Sequence, residues 1–232
     1  MKLFTRMHAE GFIQISAGAR IGYTKGILWN RRVHALIDVE NEIRLGSGLH
    51  LMTAPNGSGK TTLLRTLAGL SQPLCGEVKV KGSLCYIADE LCCDREINVG
   101  TFFKCWFSGK LMERANELAD TLRLSLNTPI GKLSRGNRQK ILLIFAEVKA
   151  TQNRNSVLLM DEPLTGLDAV TRQQMIDLWL SASPKTLRLV ITHELESIHE
   201  ANSLLTVVDG RLRHVGNRED RTWLQTYHSL HS

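Results

Sequence analysis

Long hydrophobic runs are missing from this 232-residue sequence. No window approaches the roughly 20 consecutive apolar residues that a membrane-spanning helix needs. The N-terminal stretch MKLFTRMHAEGFIQISAGAR is too polar and too interrupted to hold the apolar core of a signal peptide. We therefore expect a cytosolic chain that takes part in membrane processes only through a partner.

Cysteine is scarce, and its arrangement excludes two kinds of site. The five cysteines are odd in number, Cys92 and Cys93 are adjacent, and no pair has the Cys-x-x-Cys spacing. This pattern argues against a structural metal site and against a disulfide framework. We expect reduced thiols in a reducing compartment.

Runs of positive charge are missing too, although the net charge is +6 and the pI is about 9.2. Lysine and arginine are scattered, with no tract of five or six basic residues. Scattered charge is typical of a solvated surface that also attracts anionic small molecules, so we expect no specific nucleic-acid partner. With 43% apolar residues, the chain can bury the core of one large domain or two closely joined subdomains.

The segment TAPNGSGKTT, residues 53–62, predicts a phosphate-binding loop. It lies between an apolar strand, LHLMT at 49–53, and a helix, KTTLLRTLAGL at 60–70. Backbone N–H groups at the start of that helix would wrap a β-phosphate, Lys60 would reach the β- and γ-phosphates, and Thr61 would place its hydroxyl on Mg²⁺. The predicted nucleotide contacts here are Pro55, Asn56, Gly57, Ser58, Gly59, Lys60, Thr61 and Thr62.

Ala54 stands where such loops usually begin with glycine. It precedes Pro55, which restricts it to extended backbone angles that alanine adopts without strain. The loop is therefore expected to form.

Two further strands are predicted to end in chemistry-bearing side chains. SVLLMDEP, residues 156–163, is a buried apolar run followed by two acids, of which Asp161 would hold Mg²⁺ and Glu162 would polarise an attacking water. LRLVIT, residues 187–192, is followed by His193, which could hydrogen-bond a γ-phosphate and that water. Parallel strands of an open α/β sheet bind ligands beyond their carboxyl ends, which would bring these groups together.

The segment KLSRGNRQKILLIFAEV, residues 132–148, predicts a helix capped by Ser134. The Ser134 hydroxyl and the Gly136 N–H would form an anion site at the helix N-terminus.

Taken in order, the motifs APNGSGKTT, LSRGN, LLMDEP, LTGLD and ITH resemble the ATPase domain of ABC transporters, over about residues 26–216. The resemblance implies an α/β fold: a P-loop NTPase core with a mostly parallel sheet, an N-terminal antiparallel β region and a small inserted helical subdomain. The whole chain, 1–232, would form a single ABC ATPase domain. Its nucleotide-binding core would comprise 1–88 and 151–216, the helical subdomain with the signature motif 89–150, and the C-terminal tail 217–232.

The resemblance also implies a head-to-tail dimer, either a homodimer or a pair with a sibling ATPase. Ser134 and Gly136 would then contact the nucleotide of the opposite subunit, and Asp168 would lie at the dimer interface. An aromatic residue upstream of the phosphate loop would stack on adenine. Trp29 is the first choice and Tyr23 the alternative.

Two departures from the family pattern bear on activity. The segment LSRGN, residues 133–137, corresponds to the signature motif of the family. In it, Arg135 and Asn137 replace a glycine and a glutamine. Asp89, with Glu90 beside it, stands where the family usually has a glutamine that contacts Mg²⁺. Asp89 is expected to serve as a metal ligand whose negative charge slows hydrolysis without abolishing it.

The segment TFFKCWFSGK holds four aromatic residues at helical spacing, Phe102, Phe103, Trp106 and Phe107. So many apolar groups around one short helix exceed what a small core needs. In the family this subdomain binds a helix of the membrane subunit, and we expect residues 93–108 to line that groove.

The resemblance thus implies a magnesium-dependent ATP-hydrolysing subunit that powers transport through separate membrane subunits. It would be peripheral, at the cytoplasmic face of the bacterial inner membrane, and export is the expected direction. Two alternatives stay open: a soluble ABC protein of DNA repair or translation, and a regulatory module that binds ATP without turnover.

Overall fold

The computed structural model describes residues 11–25, 32–87, 91, 93–153, 155–181, 185–216 and 220–232. Trp29, Asp89 and Glu90 lie outside these residues. The predicted adenine contact of Trp29 and the predicted metal contact of Asp89 therefore remain predictions.

Strands and helices alternate through most of the chain. The strands are β1 (Phe12–Ile15), β2 (Arg20–Lys25), β3 (Arg32–Asp38), β4 (Ile43–Leu45), β5 (Gly48–Met52), β6 (Val78–Lys81), β7 (Ser83–Ile87), β8 (Ser156–Asp161), β9 (Leu187–Ile191), β10 (Ser203–Val208) and β11 (Arg211–Val215). The helices are α1 (Lys60–Leu67), α2 (Val99–Trp106), α3 (Lys110–Thr121), α4 (Arg135–Thr151), α5 (Ala169–Ser181) and α6 (Trp223–His231), with a 3₁₀ turn at Ile130–Lys132.

An eight-stranded sheet with the order β2-β3-β11-β10-β5-β9-β8-β7 carries the fold. The run from β10 through β7 is parallel, whereas β2 with β3 and β10 with β11 pair antiparallel. Every residue of β8 and β9 is buried, which explains why apolar residues dominate both strands. A second sheet, β4-β1-β6, is antiparallel. The predicted α/β fold class, including its N-terminal antiparallel region, is confirmed.

Helix α1 is shorter than its sequence pattern predicts. It ends at Leu67 rather than Leu70, because Gly69 adopts a left-handed φ of 73° that terminates the helix. Leu70 is consequently 62% exposed instead of continuing the buried stripe of α1.

The aromatic residues of the helical region mostly form its core. Phe102, Phe103 and Phe107 are buried, and Phe102 and Phe107 contact Phe145 of α4. The three phenylalanines therefore serve the core of the helical region, as expected for some of these aromatics. Trp106 alone of the four is exposed, at 54%, because it lies on the outer side of α2.

The chain after residue 220 is ordered around a buried tryptophan. Thr222 caps α6 through a reciprocal hydrogen-bond pair with Gln225, and Trp223 is only 2% exposed. Helix α6 packs against β10, so the predicted terminal helix is part of the folded domain rather than a free tail.

Candidate functional site

The phosphate loop is built from glycines with left-handed backbone angles. Gly57 has a φ of 80° and Gly59 a φ of 98°, values that L-residues with side chains rarely adopt. At Gly59 a Cβ atom would also lie 2.8 Å from Cβ of Leu36 on β3. Leu36 therefore packs directly against the residue that precedes α1. The sequence motifs did not predict a role for Leu36.

Lys60, the first residue of α1, is 7% exposed. Its Nζ donates hydrogen bonds to the carbonyl oxygens of Ala54, at 2.7 Å, and Pro55, at 3.2 Å. These bonds hold the loop curled around the ammonium group. Ala54 contributes a carbonyl and is itself buried, so the departure from glycine leaves the loop geometry intact.

The loop contains a buried polar atom whose hydrogen-bonding capacity is unused. The hydroxyl oxygen of Ser58 is inaccessible to solvent and has no partner among the described residues. A buried hydroxyl without a partner costs about 1–3 kcal/mol. A phosphate oxygen bound within the loop could satisfy it, so the loop fits an anionic ligand.

Thr61 and Asp161 meet at the carboxyl edge of the sheet. The Thr61 hydroxyl donates to Oδ2 of Asp161 at 2.7 Å, joining the start of α1 to the end of β8 across 100 positions of sequence. A hydroxyl and a carboxylate side by side are oxygen ligands of the kind that Mg²⁺ prefers.

Glu162 follows Asp161 in a strained conformation. Its φ is 46°, which is uncommon for a residue with a side chain and is held by its N–H donating to the Ile191 carbonyl at 3.1 Å. Its Oε1 lies 3.5 Å from Nε2 of His193, which follows the neighbouring strand β9. The strained backbone thus aims the carboxylate toward His193 and solvent, where a water could be polarised.

The start of α4 is anchored to the segment beyond Glu162. Ser134 caps the helix by accepting a hydrogen bond from the Asn137 N–H at 3.2 Å, as its sequence predicts. A Cβ on Gly136 would lie 2.5 Å from the Gly166 carbonyl oxygen, so glycine permits this close approach. Gln139, unremarked in the sequence, donates to the Pro163 carbonyl at 3.1 Å.

Ser134 and Gly136 are not tied to the phosphate loop of their own chain. Among the described residues, no hydrogen bond joins either of them to residues 53–62. The structure therefore brings together Lys60, Thr61 and Asp161, with Glu162 beside His193, and leaves the signature residues as a separate group.

Asp168 caps α5. It accepts hydrogen bonds from the backbone N–H and the hydroxyl of Thr171, at 2.9 and 2.7 Å. These bonds lower the pKa of Asp168, and the bond from the Thr171 backbone N–H contributes the most. They hold the carboxylate ionised on the surface. Lys140 of α4 lies 3.9 Å away.

Tyr23, the alternative to Trp29 as the adenine contact, lies on β2 among the described residues. Its ring stacks on His34 with a centroid distance of 5.1 Å and an angle of 20°, and it is 47% exposed. An exposed stacked pair of rings is a surface on which a base could stack.

Comparison with known proteins gives this site a family. The family described as ABC transporter matches residues 38–165. A nisin transport ATP-binding protein of Lactococcus lactis subsp. lactis is 26% identical over 220 residues, covering 82% of this chain and 36% of that protein. An aliphatic sulfonates import ATP-binding protein of Pseudomonas syringae pv. syringae is 33% identical over 189 residues, which cover 73% of this chain and 66% of that protein. The chain thus spans no more than two thirds of either relative.

A solved structure shares the fold. It is a dimeric ATP-binding cassette in a post-hydrolysis state, bound to ADP and Pi, with a TM-score of 0.67 at 18% identity over 89% of this chain and 99% of that one. At this identity the likeness concerns the fold alone. Because the family match spans more than half of the sequence and includes both the phosphate loop and the Asp161–Glu162 pair, the chain belongs to the ABC transporter family.

Proposed function

We propose that this chain binds and hydrolyses ATP with Mg²⁺ and thereby powers a membrane transporter. The observation that carries the proposal is the junction of Thr61 with Asp161, at 2.7 Å, next to the buried Lys60 and to the Glu162–His193 pair. These groups lie at the ends of neighbouring parallel strands, β5, β8 and β9. Phosphoryl transfer requires this combination of a cation, metal ligands and a group that orients water.

Each side chain has a proposed part in the reaction. Lys60 exchanges its bonds to the loop carbonyls for bonds to the β- and γ-phosphates. Thr61 and Asp161 would hold Mg²⁺, which neutralises charge on the phosphates when bound, and Asp89 is proposed as a further ligand. Glu162 accepts the proton of the attacking water, and His193 donates a hydrogen bond to the γ-phosphate.

The remaining loop residues would bind the triphosphate, and an aromatic ring would bind adenine. Residues 57–62 lie at and just before the start of α1, where a helix N-terminus stabilises negative charge. Trp29 remains the first proposed adenine contact. Tyr23, stacked on His34, is the alternative that the described residues support.

A head-to-tail dimer would complete the site. The separation of Ser134 and Gly136 from their own phosphate loop supports it, since these anion-binding groups need a ligand from elsewhere. In the dimer, each signature would contact the ATP held by the other subunit. ATP binding would close the dimer, and hydrolysis would open it.

Transport requires a membrane partner. Among the described residues, none of the helices has the length and apolar content to cross a bilayer. We propose separate membrane subunits docking near residues 93–108, at the cytoplasmic face of the membrane. Export is the proposed direction. The relatives' names include both nisin transport and sulfonate import, so direction is tested separately by transport into and out of vesicles.

The first experiment is ATP turnover by the purified chain with and without Mg²⁺. Glu162→Gln should lower turnover by about 100-fold or more, because it removes the general base. It should still bind ATP and should accumulate as an ATP-bound dimer. Glu113→Gln, an exposed carboxylate on α3, is the matched control and should retain full turnover.

Two results would contradict the proposal. Equal turnover in the parent chain and in Glu162→Gln would exclude the assigned base. ATP binding with neither turnover nor dimerisation, also in the presence of native membranes, would instead favour the regulatory module that binds ATP as a switch.

A further inference from the structure

A cleft of about 360 Å³ opens beside the first turns of α4, and its lining includes Arg135, which lies between Ser134 and Gly136. Its walls come from Leu91, Cys93 and Arg95, from Ile130 and Gly131 of the 3₁₀ turn, and from one face of α4. Three arginines line it, Arg95, Arg135 and Arg138, and its described lining residues include no carboxylate. The cleft therefore concentrates positive charge in a concave site.

Among the residues that the structure describes, the three guanidinium groups have no anionic partner. None of the ion pairs between described residues includes Arg95, Arg135 or Arg138. Arg138 donates one hydrogen bond to the Leu133 carbonyl at 2.5 Å, which leaves its other N–H donors available. Like charges gathered in a cleft repel each other, so an anionic group bound there relieves repulsion as well as forming hydrogen bonds.

Backbone packing holds the outer arginine in place. The Gly131 N–H donates to the Arg95 carbonyl at 2.8 Å, and a Cβ on Gly131 would lie 3.0 Å from Cβ of Arg95. The close approach of these two segments fixes Arg95 opposite α4. Packing against the 3₁₀ turn thus sets the backbone position of Arg95, while the side chains of Arg95 and Arg135 are exposed.

The positive cleft continues into an apolar strip along α4. Positions 135, 138, 142 and 145 share one face of the helix, because their spacings of three and four residues follow its turn. Leu142 lines the cleft, and Phe145 contacts Trp106 edge-on with a centroid distance of 5.4 Å. Arg138 and Phe145 are seven residues apart, about 10 Å along the helix axis.

We infer that this face of α4 binds a helical segment of the membrane subunit that carries acidic residues about two turns from an apolar one. The carboxylates would pair with Arg95 and Arg138, and the apolar residue would cover Leu142, Phe145 and the exposed Trp106. Charge complementarity selects this partner, since a basic or uncharged segment would leave Arg95 and Arg138 without an anionic partner. The inference rests on the proposed function and adds the chemistry of the segment that docks.

The test uses synthetic helical peptides of about 14 residues as probes, followed by fluorescence anisotropy on the full-length chain. One peptide carries two Glu in its first turn and two Leu two turns later, and its twin carries Gln in place of Glu. We expect the Glu peptide to bind about tenfold more tightly, with an advantage that shrinks as salt rises.

Matched variants locate the binding site. Arg95→Gln and the double variant Arg95→Gln/Arg138→Gln should reduce the preference for Glu to within about twofold. Arg114→Gln on α3 removes one positive charge elsewhere in the helical region and should keep the preference. Arg135 is left unchanged because it adjoins Ser134, and circular dichroism checks that each variant is folded.

Several outcomes would overturn the inference: equal binding of the two peptides, binding of neither, or an unchanged preference in the folded Arg95→Gln variant. Competition by inorganic phosphate at equal concentration would assign the cleft to a small anion, and tighter binding of an RNA oligonucleotide would assign it to nucleic acid. ATP turnover is measured on the same preparations. Normal turnover without a peptide preference refutes the inference alone, whereas absent turnover in the parent chain refutes the proposed function.

Discussion

His50 shows how a single buried side chain can couple stability to pH. It lies on β5, where its Nδ1 is 2.7 Å from the Ser203 hydroxyl and its Nε2 is 2.9 Å from the Gly46 carbonyl oxygen. Because a carbonyl only accepts, Nε2 carries the proton and Nδ1 accepts from Ser203. The neutral ring is fully paired. Burial is the main cause that lowers the pKa of His50, and it also lowers the pKa of His214 on β11.

These lowered pKa values predict acid destabilisation. Stability is fully present above the unfolded-state pKa of about 6.5 and is lost as pH falls through the folded-state values, because the unfolded chain binds protons first. His50→Gln should therefore lessen the loss of unfolding free energy between about pH 7.5 and pH 5.5. Urea unfolding of the parent chain and of each variant at both pH values measures this change in unfolding free energy. His199→Gln, an exposed control, should leave the decline unchanged, and an unchanged decline in His50→Gln would contradict the assignment.

At the scale of elements, α4 and β9 are joined by a buried ion pair. Glu147 on α4 and Arg188 on β9 are 6% and 3% exposed, and the guanidinium donates two hydrogen bonds to the carboxylate, at 3.1 and 2.7 Å. Helix α4 carries the signature at its start, and β9 leads to His193. The pair therefore joins the two elements that carry these functional groups.

Removing one partner of this ion pair should lower the free energy of unfolding strongly, whereas replacing both partners with apolar residues should not. Glu147→Leu leaves Arg188 buried without a partner and should lower the free energy of unfolding by about 3–5 kcal/mol. Glu147→Leu/Arg188→Met should recover most of that loss, because neither charge remains buried. Urea unfolding of both variants is the measurement.

The exposed pair of Arg114 with Glu117 on α3, at 2.9 Å, is the control. Glu117→Gln should change the unfolding free energy by less than about 1 kcal/mol, as is usual for surface pairs. A double variant as unstable as Glu147→Leu would show that the pair contributes more than charge compensation.

At the scale of the whole molecule, the head-to-tail dimer can be tested by mixing defective chains. In a two-fold symmetric dimer, Lys60→Ala and Ser134→Arg each damage both sites when the dimer forms from identical chains. A mixed dimer carries both defects in one site and none in the other. Random mixing should therefore restore about one quarter of parental turnover if sites act independently. Absence of recovery, with mixed dimers verified by differential tagging, would contradict shared sites.

Much of the fold could be predicted from sequence because its signals are local. The apolar runs of β8 and β9, the phosphate loop before α1 and the Ser134 cap each depend on neighbouring residues. Their assembly was also predictable, since parallel strands end at a common edge and so place Thr61 beside Asp161. Local patterns failed at the end of α1, where Gly69 terminates the helix before Leu70, and around α2, where packing against Phe145 buries the phenylalanines.

What the sequence alone determined was the set of chemical groups and their order along the chain. Tertiary structure decided which groups meet. Distant segments hold the strained backbone of Glu162, whose N–H donates to Ile191, and the close approach of Gly136 to Gly166. The same holds for the cleft that gathers Arg95 with Arg135 and Arg138. No local pattern specifies such contacts, because they arise only when packing of the buried core fixes the relative positions of separate elements.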